Sequence, residues 1–216
     1  MAVCVKDIVP KRKGLFITFE GSEGSGKSTQ IKLVRRYLEK KGARVLFLRE
    51  PGGTKISEKI RRILLDVGSA GMGDECETLL YMAARAQLVK ETIAPALKKG
   101  MIVLCDRFLD STLAYQGYGS GVSIEWIKKI GGFATRGICP DLTFFFDIDA
   151  QEGLKRIQRA KDRIEQRALA YHERVRQGYL KLARREPARI KVIQGSKDKD
   201  EIHWIVRKHM DGLLGL

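Results

Sequence analysis

No apolar run in this chain approaches the eighteen or so residues needed to cross a bilayer, so a membrane-spanning segment is not expected. A secretory signal is not expected either. The early charges Lys6, Lys11, Arg12 and Lys13 follow the first apolar residues and precede only a strand-length apolar run. Cysteine is scarce and scattered: Cys4, Cys76, Cys105 and Cys139 make no C-x-x-C and stand in no metal-ligand spacing with His172, His203 or His209. A reduced, cytoplasmic setting fits this usage, with Cys105 and Cys139 read as buried thiols. Also missing are a Pro/Ser-rich linker, an internal repeat and a low-complexity tract. Residues 14–216 therefore read as one domain, long enough to bury a full core, behind a flexible tail at 1–13.

Acidic residues are outnumbered, 26 Asp and Glu against 41 Lys and Arg, for a formal net charge of +15. The excess is densest over 151–191, with thirteen basic against five acidic residues. Such a balance invites a nucleic-acid reading. No aromatic interleaving, zinc-finger spacing or RNA-binding signature accompanies it, so nucleic acid is not the expected partner. Solvated helix faces and an anion-binding site account for the charge.

What is present alternates. Strand-length apolar runs recur at 15–19, 45–48, 101–105, 142–148 and 190–193. Between them lie stretches of helical periodicity, such as Ile31, Val34 and Leu38, or Leu79, Met82 and Leu88. Strands alternating with helices predict an α/β fold, a parallel sheet of about five strands covered by helices on both faces. Gly42 and Gly100 follow lysine-bearing segments and are placed to end helices. In such sheets ligands bind beyond the carboxyl ends of the strands.

One such end carries G-S-E-G-S-G-K-S, Gly21 to Ser28, a match to G-x-x-x-x-G-K-[ST] between the first strand and a helix. A chain turning from strand into helix aims backbone N–H groups into one concavity at the positive end of the helix dipole. Gly21, Gly24 and Gly26 permit unusual torsions and a close approach to an anion. Lys27 can reach the β- and γ-phosphates and Ser28 can ligate Mg²⁺, so a nucleoside triphosphate is the expected ligand.

Later strand ends deliver R-E-P-G-G-T from Arg49, D-R-F from Asp106 and D-S-T-L-A-Y-Q-G from Asp110. Asp106 can hold Mg²⁺ through its water shell, and Arg107 can clamp a second phosphate, although an Asp-Arg pair is as readily a structural ion pair. Arg156, Arg159 and Arg163 share one face if a helix continues through them. Beside a phosphate loop they suggest a basic lid, about 151–165, that closes over the transferred group and excludes water.

Two facing phosphate sites suggest transfer rather than hydrolysis. An acceptor phosphate with a second pKa of about 6 is already a dianion at neutral pH and needs no general base. No Ser/His/Asp arrangement is apparent. Each unit pair of like charges about 4 Å apart repels by about 4 kcal/mol at an effective dielectric of about 20. Mg²⁺, Lys27, Arg107 and the lid arginines are suited to offset that repulsion. On the residues alone, a kinase for another monophosphate or a deoxynucleoside stays open, as does a nucleotide switch or partition ATPase. A GTPase is disfavoured, since neither N-K-x-D nor D-x-x-G after a strand is found.

The longer blocks carry a resemblance. G-S-E-G-S-G-K-S-T, R-E-P-G-G-T, Y-M-A-A-R-A-Q, D-R-F-x-D-S-T-L-A-Y-Q-G, P-D-L-T-F-F-F-D and D-R-I-E, in that order over about 14–195, resemble bacterial thymidylate kinase. The resemblance implies a three-layer P-loop kinase fold with a short basic lid, a homodimer, and Mg²⁺-assisted phosphorylation of dTMP to dTDP by ATP. It implies that Gly21, Ser22, Glu23, Gly24, Ser25, Gly26, Lys27, Ser28 and Thr29 serve ATP, with Gln194 bordering adenine. Glu23 would also meet the 3′-hydroxyl of the acceptor.

Arg107 would hold the acceptor phosphate, with Arg49 and Pro51 close by. Tyr81 stands where the family usually has a phenylalanine stacked on thymine, and Arg85, one turn later, would bond the base edge. Thr112 would lie near thymine N3, Gln116 would complete the dTMP set, and Tyr115 would crowd the 2′ position against ribose. Gly24 takes the place where some members carry a catalytic arginine, which shifts that role to Arg159 or Arg163.

Overall fold

The computed structural model describes residues 13–215, so nearly all of the expected N-terminal tail lies outside the described residues. Strands β1 (Phe16–Glu20), β2 (Val45–Arg49), β3 (Ile102–Asp106), β4 (Leu142–Asp147) and β5 (Ile190–Gln194) form one five-stranded parallel sheet, ordered β2-β3-β1-β4-β5. Each strand ends on a polar residue: Glu20, Arg49, Asp106, Asp147 and Gln194. The apolar runs place most of these ends one residue short, because the polar terminal residue keeps the ladder but breaks the hydrophobic pattern.

Successive strand side chains point to opposite faces. On one face, Ile17, Phe19, Leu104, Phe144 and Phe146 pack against Ile31, Val34 and Leu38 of α1 (Lys27–Lys40) and against Ile202, Val206 and Met210 of α9 (Lys199–Leu214). On the other, Phe16, Val103, Cys105 and Phe145 pack under α3 (Asp74–Leu88), α4 (Ala94–Lys98), α6 (Ile124–Thr135) and α8 (Leu169–Arg185). Each fully buried Leu, Ile or Phe is worth about 1.5–3 kcal/mol, so the two clusters hold the sheet between helical layers. By the same alternation Glu20 shares the face of Phe16, and Asp106 that of Leu104. Two carboxylates on neighbouring strands therefore serve opposite sides of the sheet edge.

Helix ends follow local chemistry. Gly42 and Gly100 take φ of 78° and 74° just after α1 and α4. Thr54 caps α2 (Lys55–Leu65) by accepting the N–H of Ser57. Two π-helical segments, Val89–Ile93 after α3 and Leu113–Gly119 after α5 (Leu109–Thr112), have no counterpart in a 3.6-residue pattern. No described helix is long and apolar enough to cross a membrane.

Two expectations fail. Helix α7 (Ala150–Lys155) stops before Arg156, and no helix resumes until α8, so Arg156, Arg159 and Arg163 share no helix face. Asp162 diverts the chain by accepting the N–H groups of Ile164 and Glu165, each at 3.0 Å, and so closes a turn. Cys105 is a buried free thiol as expected, whereas Cys139 is only half-buried.

Candidate active site

Beyond β1 the chain turns tightly into α1, with φ of 138° at Gly21, 70° at Gly24 and 86° at Gly26. A Cβ on Gly24 would stand 2.3 Å from the Gly153 carbonyl oxygen, and one on Gly21 would stand 2.6 Å from that of Phe146. Close packing thus demands these two glycines as firmly as torsion does. Gly26 is the N-cap of α1, and no side chain takes the first N–H groups of the helix, which leaves them for an anion. Lys27 is 5% exposed, with its ammonium 2.9 Å from the Gly21 carbonyl and 2.7 Å from that of Ser22. Burial, and then nearby Arg107, lowers its pKa. A phosphate in the loop would relieve both.

Arg107 follows Asp106 at the end of β3. Its φ of 72° is left-handed, an unfavourable conformation for a residue with a side chain. The guanidinium compensates with dense bonding. Its Nη2 donates to Glu23 and, at 3.1 Å, to the Tyr115 hydroxyl; Nη1 donates to Ser111 Oγ and to the Tyr179 hydroxyl, each at 3.3 Å. It also lies 4.9 Å over the Tyr115 ring. Burial acts to raise the Glu23 carboxyl, but Arg107 and Lys27 outweigh it and hold the group down to about 2. Burial pushes the Tyr115 phenol up to about 12, so it remains a hydroxyl at neutral pH.

The wall beneath is built from buried ion pairs. Arg85, 2% exposed, donates from Nε to Glu50 at 2.8 Å and from Nη2 to the Phe108 carbonyl at 3.0 Å. Burial raises the Glu50 carboxyl against the pull of Arg85. Tyr81, one turn before Arg85, is half-buried on the cleft, and its hydroxyl makes no hydrogen bond to the described residues. Thr112 and Gln116 come from the α5 and π-helical segments, and Gln116 Nε2 donates to fully buried Glu77 at 2.7 Å.

The segment after α7 separates the two arginines expected to share the work of a lid. Arg159 lines the cleft with a side chain 61% exposed, aimed by a two-pronged bond to Glu165 at 2.6 and 2.9 Å. Arg163 is turned away. Only 6% exposed, it donates to the Leu64 carbonyl at 2.8 Å and to Glu77 at 2.5 Å, where Arg167 also binds at 2.9 Å. A fully buried carboxylate needs such partners, and Arg163 serves that need rather than the cleft.

Buried hydrogen-bonding atoms seldom go unpaired. Among the described residues seven such atoms do, and four of them, Glu50 Oε1, Asp106 Oδ1, Thr112 Oγ1 and His172 Nε2, belong to residues that line one cleft of about 910 Å³, open mouth included. Asp106 Oδ1 and the exposed Ser28 hydroxyl, both on this cleft, are hard oxygen donors of the kind Mg²⁺ prefers. At the mouth, Arg49 pairs with Glu58 at 3.3 Å, and the Pro51 carbonyl accepts from Arg61 at 2.9 Å. Ser22 and Ser25 support the loop, Ser25 Oγ donating to the Ser22 carbonyl at 2.8 Å, and Thr29 is exposed on the first turn of α1. Gln194 is exposed at the end of β5, beside the loop, since a Cβ on Gly195 would lie 3.2 Å from the Ser25 carbonyl.

Sequence reasoning passed over Glu20, Glu50, Glu77, Arg61 and His172. Glu20 left a signal as a carboxylate closing an otherwise apolar strand, and Glu50 as part of R-E-P-G-G-T.

Comparison with known proteins converges. The family model described as thymidylate kinase matches residues 19–205. A thymidylate kinase from Kosmotoga olearia is 51% identical over 196 residues, which cover 90% of this chain and 94% of that protein. One from Pelotomaculum thermopropionicum is 48% identical over 205 residues, covering 94% and 95%. The crystal structure of thymidylate kinase from Ehrlichia chaffeensis aligns with a TM-score of 0.76 at 35% identity, over 91% of this chain and 98% of that one.

Proposed function

The chain belongs to the thymidylate kinase family, and on that premise we propose how its cleft moves the γ-phosphoryl group of ATP onto dTMP. One observation carries the reading: Arg107, largely buried and locked in a left-handed backbone, shares a cleft with Lys27 of a loop shaped for phosphate. Two separately anchored cations at neighbouring strand ends suit two phosphates.

The loop amides and Lys27 hold the β- and γ-phosphates of ATP, while Gln194 borders the adenine. Arg107, with Arg49 and Pro51 near the mouth, receives the phosphate of dTMP. That phosphate is a dianion at neutral pH and attacks without a general base, so positioning and charge compensation supply the catalysis. Mg²⁺, which Ser28 and Asp106 would hold, would neutralise charge between the β- and γ-phosphates. Arg159, carried on the lid, supplies positive charge to the transferring group. The lid also excludes water, which would otherwise intercept it.

Tyr81 stacks on thymine, and Arg85, Thr112 and Gln116 read its edge. The unpaired Thr112 hydroxyl is a hydrogen-bonding atom waiting for that base. Tyr115, held by Arg107, stands against the 2′ position, and Glu23 accepts from the 3′-hydroxyl. We also infer a homodimer. Helices α3 and α6 pack together and present Leu79 and Phe133, 54% and 87% exposed, an apolar surface suited to a second copy.

The test is ADP release from ATP and Mg²⁺ across a panel of acceptors. Turnover stimulated by dTMP and not by thymidine is expected. Stimulation by the nucleoside alone would overturn the reading.

A further inference from the structure

Strand β1 ends in a carboxylate that none of the roles above uses. Glu20 is fully buried. Its Oε1 accepts, at 2.8 Å, the N–H of Phe108, the amide that follows Arg107. Its Oε2 accepts the hydroxyls of Ser111 at 2.5 Å and Tyr179 at 2.8 Å. Those same hydroxyl oxygens accept from Arg107 Nη1, each at 3.3 Å.

A hydroxyl has one proton to give. With these protons directed at Glu20, or one of them at the other hydroxyl oxygen 2.8 Å away, both oxygens turn lone pairs toward the guanidinium. One carboxylate thus fixes Arg107 twice, through the next amide in its left-handed backbone and through two hydroxyls at its side chain. Tyr179 cannot drift from this arrangement, because its ring stacks on Phe145 with centroids 4.8 Å apart.

We propose that Glu20 is a positioning residue for acceptor binding: it holds Arg107 in the conformation that receives the phosphate of dTMP, and touches neither substrate. The inference rests on the reading of Arg107 as the acceptor clamp.

Glutamine at this position cannot do both tasks. With its carbonyl toward Phe108, its amide donates to the hydroxyls and turns their protons toward Arg107. Flipped, its amide meets the Phe108 N–H donor to donor. Glu20→Gln should therefore raise KM for dTMP about tenfold or more, while KM for ATP and the dissociation constant of ATP stay within about twofold. Tyr179→Phe keeps the stacked ring and should raise KM for dTMP about threefold. It replaces Glu20→Gln throughout if that variant does not fold.

A double-mutant cycle decides the matter. In an Arg107→Ala background, adding the second substitution should change kcat/KM for dTMP by less than about twofold. If the two effects multiply, or if KM for ATP rises as much as that for dTMP, the proposal is wrong while the clamp reading stands. If Arg107→Ala alone leaves KM for dTMP unchanged, the clamp reading fails and takes the proposal with it.

Discussion

Glu23 of the phosphate loop and Arg107 at the end of β3 are joined by a direct ion pair, Oε1 to Nη2. The contact couples the loop assigned to ATP with the arginine assigned to the acceptor. A shift of either is felt by the other.

That pair leaves a mark on acid stability. Burial favours the neutral carboxyl, yet Arg107 and Lys27 depress Glu23 to about 2 from an ordinary 4.5. A depressed carboxylate contributes stability that is complete above its unfolded pKa and lost as pH falls through its folded one. Thermal midpoints should decline between pH 4.5 and about 2 partly through this residue. Glu23→Gln should flatten that decline and lower the midpoint at neutral pH; unchanged slopes in this window would contradict the coupling.

The lid arginines should part company on substitution. Arg163→Ala leaves buried Glu77 with one cation fewer and should destabilise by about 3 kcal/mol in urea unfolding. Arg159→Ala takes its cation from Glu165, which is 2% exposed, and so also destabilises, but it alone should lower kcat roughly a hundredfold. A fully active Arg159→Ala, with a stable but inactive Arg163→Ala, would reverse the assignment.

Tyr81 differs from a stacking phenylalanine by a hydroxyl that bonds to nothing among the described residues. Tyr81→Phe should change KM for dTMP by less than about twofold, whereas Tyr81→Ala should raise it about tenfold or more. Steady-state kinetics with varied dTMP separates the two. Equal loss in both variants would mean that the hydroxyl, not the ring, matters.

The phosphate loop is legible in sequence because its torsions and close approaches demand glycine at Gly21 and Gly24, and that demand leaves a residue-type trace. The sheet is legible for a similar reason, since buried parallel strands need apolar runs. The lid is not. By spacing, G-L-K-R-I-Q-R-A-K-D-R can continue a helix, yet α7 ends at Lys155 and Asp162 then closes a turn with the backbone, a competition that a periodicity count cannot weigh. Ion pairs across the fold are equally silent: Arg163 and Glu77 lie 86 positions apart, Arg85 and Glu50 35 apart, and neither pair leaves a local pattern. That is why Arg163 reads as a second lid catalyst in sequence, and why Glu20 passes for the last residue of a strand.

Phe133, 87% exposed on α6, tests the inferred homodimer. Phe133→Glu should shift the sedimentation coefficient from dimer toward monomer at micromolar concentration without changing the far-ultraviolet dichroism. A wild-type chain that already sediments as a monomer would remove the dimer from the account.

A pair of calorimetric titrations on Arg107→Ala, one with ATP and Mg²⁺ and one with dTMP, tests whether Arg107 belongs to the acceptor. Affinity for ATP within about threefold of wild type is expected, with affinity for dTMP reduced at least about a hundredfold. Loss of ATP binding with dTMP binding intact would place Arg107 on the donor side and contradict the division of the cleft between two phosphates.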